Sequence, residues 1–233
     1  MTFNQIMASL QAMGTAQNVK IYRRHGATDP LYGVSFANLN KLKKQIKVDH
    51  ALAVQLWNSG NADARHLATM VADPAQITAK LADQWVRDLR YCSLGDLFTG
   101  LICRTTLVQT KAGNWMDHDG EWIARAGWML QARLAMADAP LSDAYFEKLL
   151  RRIEREIPTA KNRVKDAMNS AVIAIGLRNR ALEKKAIAAA KKIGKVEVDH
   201  GETGCKTPDA IAYIGKAKAH RSKKAQRRAK AAS

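Results

Sequence analysis

Hydrophobic residues recur along most of this chain with the period of an α-helix. One clear segment runs from Tyr145 to Ile157, where Tyr145, Leu149, Ile153 and Ile157 are apolar and charged residues fill the opposite face. Ser142 precedes this segment and provides the kind of hydroxyl that helix N-termini favour. No part of the chain alternates between apolar and polar residues in the way that predicts a strand. The pattern therefore predicts an all-α protein.

The predicted helices are short and closely spaced. Residues that favour helix N-termini precede three of them: Ser35 before residues 36–46, Asp49 before 51–57, and Asp73 with Pro74 before 77–89. Elements of about 11 to 17 residues with short Gly, Asn, Asp or Pro breaks are typical of stacked helical hairpins. We therefore predict an α-α superhelix of HEAT- or armadillo-like helical hairpin repeats. Because no strict repeat period is visible, a globular helix bundle is the alternative.

The chain is strongly basic, which narrows the class of its partner. Its 233 residues include 38 Lys and Arg against 21 Asp and Glu, a formal net charge of +17. Residues 180–233 hold 15 of these basic residues and 5 of the acidic ones, a net of +10. A polyanion is the usual partner of so basic a protein. A scaffold for protein partners is the alternative, in which the basic tail serves only solubility.

The helical pattern and the distribution of charge also predict how the chain divides into domains. We expect a helical-repeat DNA-binding domain over residues 1–195, a Gly-rich turn with a closing helix over 196–218, and a basic flexible tail over 219–233 that binds phosphate. The turn contains His200, Glu202 and Cys205. A structural zinc site needs four ligands, and no second His or Cys pair is present in the sequence. We therefore expect neither a metal nor a cofactor.

The location of the protein is predicted from two further features. The N-terminus lacks a basic region followed by an apolar core, and no apolar run approaches the roughly 20 residues that span a bilayer. Cys92, Cys103 and Cys205 cannot all pair, and their spacing matches no disulfide framework. We expect a cytoplasmic protein with reduced thiols, no membrane association and a monomeric state.

Arg125 lies between two tryptophans at helical spacing. Trp122 is three residues before it and Trp128 three residues after it, so the three side chains share one stripe of a helix. A fixed cation beside indole rings suits a surface that meets anions, which makes Trp122 and Arg125 candidates for contact with an anionic partner. The alternative is an ordinary surface arginine paired with Glu121, its stem lying over core tryptophans.

A second set of candidates follows Pro158. Basic side chains that cluster on one segment are suited to phosphate contacts. The set consists of Lys161, Arg163, Lys165 and Arg178.

Four segments together resemble a known family. They are Tyr22-Arg-Arg with residues 32–42, Leu56-Trp57 with a helix over 62–71, residues 91–97 with Asp96, and Trp122-Ile-Ala-Arg125. Their order, spread over roughly residues 1–180, resembles that of the DNA alkylation repair family, the HEAT-like helical-repeat DNA glycosylases that remove alkylated purines. The resemblance implies a concave helical surface that holds duplex DNA by its backbone and does not insert the damaged base into a deep pocket.

The resemblance also implies roles for individual residues. Asp96 matches the aspartate that stabilises positive charge on the deoxyribose, Arg125 an arginine that contacts DNA beside it, and Tyr22 an aromatic residue near the damaged base pair. Cys92 and Ser170 stand where the family has tryptophans. The resemblance thus implies a DNA repair glycosylase for cationic alkylated purines, and a noncatalytic protein that binds duplex, branched or damaged DNA is the alternative. For Asp96 itself, an N-cap or a salt bridge is the alternative role.

Overall fold

The computed structural model describes the backbone of residues 1–137 and 140–232, and their side chains except those of 221, 222 and 224–232. Within these residues the chain is all-α, as predicted, and its single β-type pairing is an isolated bridge between Gly14 and Val34. Two short 3-10 turns, Pro74–Gln76 and Ile157–Thr159, accompany the α-helices. The α-helices are α1 (Phe3–Met13), α2 (Ala16–Arg24), α3 (Phe36–Ile46), α4 (His50–Asn58), α5 (Ala62–Val71), α6 (Ala79–Val86), α7 (Cys92–Ile102), α8 (Val108–Met116), α9 (Glu121–Met136), α10 (Asp143–Glu156), α11 (Asn162–Gly176), α12 (Arg180–Ile193) and α13 (Ala210–Ala232).

Helix starts agree with the sequence where a side chain can cap the first turn. Ser35, Asp49 and Ser142 each accept a hydrogen bond from the backbone N–H three residues further along the chain. This bond satisfies a donor that the first turn of a helix leaves without a backbone partner. The local signal therefore places the starts of α3, α4 and α10 correctly.

The predicted helix over residues 77–89 is the exception. Asp73 accepts a hydrogen bond from Ala75 N at 3.0 Å and, with Pro74, begins only a single 3-10 turn. The helix proper, α6, is shorter than predicted and starts after Thr78, whose hydroxyl accepts from Leu81 N at 3.1 Å. The sequence offers two capping residues within five positions, and the second one begins the helix.

The chain divides into two compact units. The first unit comprises Met1–Lys111 and His200–Gly204, and the second unit comprises Ala112–Asp199 and Cys205–Ser233. The segmentation expected from the sequence, with boundaries at residues 195 and 218, stays a prediction. Among the described residues no helix has both the length and the apolar character that crossing a bilayer requires.

In the first unit, α5 is the central helix, since it packs on α3, α4 and α7. The core beside it contains Trp57 and Trp85, whose rings stack with centroids 4.2 Å apart and planes 3° apart. The Trp57 indole N–H donates to Asp88 at 2.8 Å, so the one polar atom of this buried ring has a partner. This packing fixes α5, which carries buried polar residues.

In the second unit, α9 and α11 pack along each other, and α12 packs on α10, α11 and α13. The core between these helices is a continuous apolar cluster built around buried side chains such as Trp128, Phe146 and Ile153. Small residues such as Ala167 and Ala171 occupy the α11 face of this cluster and allow the helices to approach closely.

Gly127 on α9 gives a testable measure of that close approach. A Cβ atom at Gly127 would lie 2.2 Å from Met116 N and 2.6 Å from the carbonyl carbon of Trp115. We therefore expect Gly127→Ala to lower the free energy of unfolding by about 3 kcal/mol, because α8 and α9 must separate. Gly113→Ala on α8 is the matched control, since a Cβ there meets nothing within 4 Å. It should instead stabilise the helix by up to about 1 kcal/mol. Urea denaturation of both variants checks this, and equal effects would contradict it.

The last helix covers a segment for which the sequence predicts a flexible arm. The backbone is helical from Ala210 to Ala232, in keeping with a composition rich in alanine, lysine and arginine. The side chains from position 224 onward lie outside the described residues, as does all of Ser233. That this arm is flexible and binds phosphate stays a prediction.

Candidate nucleic-acid interface

Asp96 is a partly exposed residue in the second turn of α7. The N-cap of this helix is Tyr91, so Asp96 lies inside the helix and the N-cap alternative is wrong. Cys92, one turn earlier, is also partly exposed, and the i to i+4 spacing places both side chains on one face of α7. This face presents a carboxylate beside the position where the family resemblance would place an indole.

Arg125 is buried, with 3% of its surface exposed. Its guanidinium carbon lies 5.8 Å from the centroid of the Trp122 ring, so the predicted contact between these two residues is present. Trp128 is fully buried and has Arg152 over its ring at 5.4 Å. The alternative of an ordinary surface arginine at position 125 is therefore wrong. Asp96 belongs to the first unit and Arg125 to the second.

The basic residues at the start of α11 remain partly or fully exposed. Lys161 is the N-cap residue, and its ammonium group donates to Asp119 O at 2.6 Å. Arg163 and Lys165 follow in the first two turns, and the first turn contains no acidic residue. Cations at a helix N-terminus oppose the helix dipole. The helix dipole therefore does not favour these charges, although Lys161 bonds to a carbonyl and Lys165 interacts with Glu197. That they contact phosphate stays a prediction.

Arg178 has a different environment from these three residues. Its guanidinium lies over the Phe146 ring, with its central carbon 4.7 Å from the ring centroid. It also donates to four backbone carbonyls around the end of α9, those of Leu134, Ala135, Ala137 and Leu141. Arg178 thus satisfies carbonyls that a helix end leaves without partners. Its predicted phosphate contact stays a prediction, and its hydrogen bonds within the fold compete with it.

The first unit contains an aromatic cluster, of which only Tyr22 was predicted from the sequence as a site residue. Tyr22, Phe36, His66 and Tyr91 form this cluster, and His66 is its centre. The Tyr91 hydroxyl lies 3.0 Å from His66 Nε2, while His66 Nδ1 has no hydrogen-bond partner among the described residues. Burial lowers the pKa of His66 to about 4, so the ring is neutral at neutral pH.

Tyr22 is partly exposed at the edge of this cluster. Its hydroxyl donates to Val34 O at 2.6 Å, and burial followed by the nearby Asp63 carboxylate raises its pKa to about 12. The hydrogen bond fixes the orientation of the ring. The residue that resembles the family aromatic is therefore rigidly held at the surface of the first unit.

Asp63 organises the segment that leads into α3. It is fully buried and accepts hydrogen bonds from three consecutive backbone N–H groups: Tyr32 at 2.6 Å, Gly33 at 3.0 Å and Val34 at 2.9 Å. Gly33 has a φ of +80°, a conformation that other residues rarely adopt. The turn formed in this way carries the carbonyl that receives Tyr22 and ends at the start of α3. Nothing in the sequence analysis identified Asp63.

The N-terminal helices present positive charge that is not neutralised locally. Residues 1–48 contain seven Lys and Arg and a single acid, Asp29, which pairs with Arg65 at 2.7 Å. On α3, Lys41, Lys43 and Lys44 are exposed and make no ion pair within the described part of the chain, and the same holds for Lys47, which ends the helix. These four residues are called the α3 lysines below.

The described residues were compared with the arrangement that a metal site requires. No group of three or more His, Cys, Asp or Glu side chains there is arranged to hold a metal ion. The three cysteines are thiols in this part of the chain, with Cys205 exposed and the other two partly buried.

Comparison with known proteins connects this geometry to DNA. Residues 6–214 match the model of a family described as DNA alkylation repair enzyme. Two uncharacterized proteins, from Listeria monocytogenes and Listeria innocua, are 32% and 31% identical over 223 residues, which is 93% of this chain and 97% of each relative. A similar solved structure has a TM-score of 0.85, 27% identity and 93% coverage of both chains. It belongs to a family of proteins related to the HEAT-like repeat DNA glycosylases with affinity for branched DNA structures.

Proposed function

Because this chain belongs to the DNA alkylation repair family, we propose that it is a DNA repair protein that binds duplex DNA and branched DNA. One observation carries this proposal: the α3 lysines and the basic residues of α2 give residues 1–48 a large excess of positive charge, and no acid in the described part of the chain pairs with the α3 lysines. Such charge repels itself unless a polyanion binds it. The affinity of a similar solved protein for branched DNA supports the same partner. We also propose that the protein is cytoplasmic and monomeric.

The test is the dependence of binding on salt. We expect wild-type protein to bind a duplex of about 30 base pairs with a logarithm of affinity that falls steeply with the logarithm of salt concentration. Replacing Lys43, Lys44 and Lys47 together by alanine should flatten this slope by about 0.9 for each phosphate that the variant no longer neutralises. Fluorescence anisotropy at several salt concentrations measures both quantities.

Lys195→Ala, which removes a single charge, is the control for the loss of a lysine whose charge is already paired. Lys195 is exposed but pairs with Glu197 at 2.9 Å, so its charge is already balanced by a neighbour. It should leave the slope within experimental error. Absence of wild-type binding to every duplex and branched substrate at low salt would overturn the proposed function.

A second candidate function is excision of cationic alkylated purines, and the position of Asp96 favours it. Its carboxylate is partly exposed inside a helix, where it has no capping role. A carboxylate beside the sugar stabilises an oxocarbenium-like transition state, and an alkylated purine is already a cationic leaving group that needs little acid catalysis. Asp96 would supply that charge. Trp122 and Arg125 are proposed to contact DNA beside the lesion, and burial of Arg125 means that its neighbours must move for this contact.

A further inference from the structure

Phe36 is an apolar ring at the surface of a charged helix. It is the first residue of α3 and is 38% exposed. Among the large apolar side chains that are exposed in the described residues, only Phe36 and Tyr213 are aromatic. A large apolar ring exposed to water contributes little to folding. The exposed part of the ring is a flat apolar surface that a ligand can contact, and it lies beside a row of cations on the same helix.

Contacts with two other rings of the aromatic cluster fix the orientation of the Phe36 ring. Its centroid lies 5.4 Å from that of His66, with the planes 32° apart, and 6.4 Å from that of Tyr22, with the planes 66° apart. His66 is fully buried and contacts the Tyr91 hydroxyl, while the Tyr22 hydroxyl is bound to a backbone carbonyl. Phe36 is thus the outermost ring of a cluster anchored in the core. A ring held in this way loses little conformational freedom when a flat ligand stacks on it.

Positive charge continues from Phe36 along the same helix. Helical spacing places Asn40 and Lys43 on the side of α3 that begins with Phe36. Lys47 ends the helix about 16 Å further along its axis from Phe36. Both lysines are among the α3 lysines, which make no ion pair within the described residues. An aromatic platform followed by a row of cations is how proteins bind single-stranded nucleic acid: the ring stacks on a base and the cations follow the backbone.

Phe36 can stack only on a base whose face is accessible, and this limits the part of a DNA molecule that it can contact. Inside an intact duplex each base is covered on both faces by its neighbours, so no base face is available to Phe36 away from the ends. At a fork or a single-stranded flap the first unpaired base is free to stack on an aromatic ring. We infer that Phe36 stacks on the first unpaired base at a DNA branch while the α3 lysines hold the phosphates of that strand. This inference rests on the proposed DNA binding and names the feature of the DNA that the first unit recognises.

Affinity for a forked duplex and for a blunt duplex of equal length tests the inference. Phe36→Ala should weaken binding to the fork between about fivefold and a hundredfold, the range found for one stacked base, and change binding to the blunt duplex less than about twofold. Phe36→Trp should retain the preference for the fork, because an indole also stacks. Phe36→Leu should lose it, because leucine preserves the apolar packing without a flat face.

Tyr213→Ala is the control variant. Tyr213 is a 49% exposed aromatic residue on α13 that makes no ring contact in the described part of the chain. Its replacement should leave the ratio of fork to blunt affinity unchanged. Circular dichroism melting verifies that every variant is folded.

A second measurement uses the wild-type protein and so does not depend on the folding of any variant. A fork with 5-iodouracil at the first unpaired position, irradiated with long-wavelength light, should cross-link to the peptide that contains Phe36. The inference is overturned if cross-links form only elsewhere, or if Phe36→Ala weakens fork and blunt duplex equally or leaves both unchanged. In those cases duplex binding by wild-type protein would still support the proposed function, so the two failures are distinguishable.

Discussion

Replacing Asp63 by alanine is expected to lower the free energy of unfolding by about 3 to 5 kcal/mol, the largest stability effect of any single substitution proposed for this chain. The carboxylate accepts from the backbone N–H groups of Tyr32, Gly33 and Val34, in a fully buried position. Removing it leaves these donors without an acceptor and away from water. Urea denaturation followed by circular dichroism measures the loss.

Two further variants define what this experiment measures. Asp63→Asn has nearly the same volume, yet one of its two terminal groups donates instead of accepting, so we expect it to be destabilised as well. Asp49→Ala removes an N-cap with one hydrogen bond and should reduce stability by only about 1 kcal/mol. An Asp63→Ala variant no less stable than Asp49→Ala would contradict this account of the turn.

The second large effect concerns Asp96 and the release of bases. If the protein excises alkylated purines, Asp96→Asn should reduce release of methylated purine from methylated duplex DNA by about a hundredfold or more. Its affinity for the same DNA should stay within a few-fold of wild type, since the carboxylate acts on charge that develops only in the transition state. Single-turnover assays with protein in excess of sites measure the release.

Asp166→Asn is the matched control for Asp96→Asn. Asp166 is a partly exposed aspartate on a helix, α11, and its replacement changes the net charge equally. It should leave base release unchanged. Wild-type protein that binds methylated duplex DNA but releases no base would identify a noncatalytic DNA-binding protein. Undiminished release by Asp96→Asn would instead retain the enzyme and reject the assignment of Asp96.

The positions that resemble the family tryptophan sites offer a gain of function. Cys92 and Ser170 are both partly exposed, on α7 and α11 respectively. Indole rings stabilise a nearby cationic base by about 0.5 to 2 kcal/mol each. Placing tryptophan at these positions should therefore raise base release if the wild-type protein has any.

Local signals in the sequence were sufficient for the starts of three helices and for the contact between Trp122 and Arg125. Ser35, Asp49 and Ser142 begin helices because a side chain and the N–H three residues later are close in any conformation that starts a helix. The contact between Trp122 and Arg125 follows from the same kind of periodicity. Burial of Arg125 does not follow from it, because it depends on residues that are distant in the sequence.

The buried polar residues of α5 show why the rest of the site was missed. The partners of Asp63 lie about 30 residues earlier, and the partner of His66 lies 25 residues later. No local pattern contains those partners. A signal was nevertheless present: Asp63, His66 and Thr69 recur every third residue among apolar residues, which places three polar side chains on the buried face of one helix. Polar residues on such a face require partners within the fold.

The positive charge of residues 1–48 could not be singled out from the sequence for a different reason. The excess of basic over acidic residues is largest in residues 180–233, so a count of charges points to the C-terminus first. Some lysines of the second unit pair with acids on neighbouring helices: Lys185 with Glu147, Lys192 with Glu154 and Lys218 with Glu183. The α3 lysines have no such partners in the described residues. The charge available to a ligand depends on this pairing, which sequence counts do not show.

The α3 lysines also bear on how proteins of this fold diverge. They are exposed, pair with no acid in the described residues and lie outside the core, so exchanging one for another polar residue should change stability by no more than about 0.5 kcal/mol. Under the proposed function the same exchange also weakens a contact with phosphate. Substitutions of the α3 lysines can therefore accumulate without a threat to folding, whereas Leu39 and Leu42 on the buried face of the same helix cannot change as freely. We therefore expect the DNA preference of related proteins to diverge through these exposed positions, with Asp63 and its turn left unchanged.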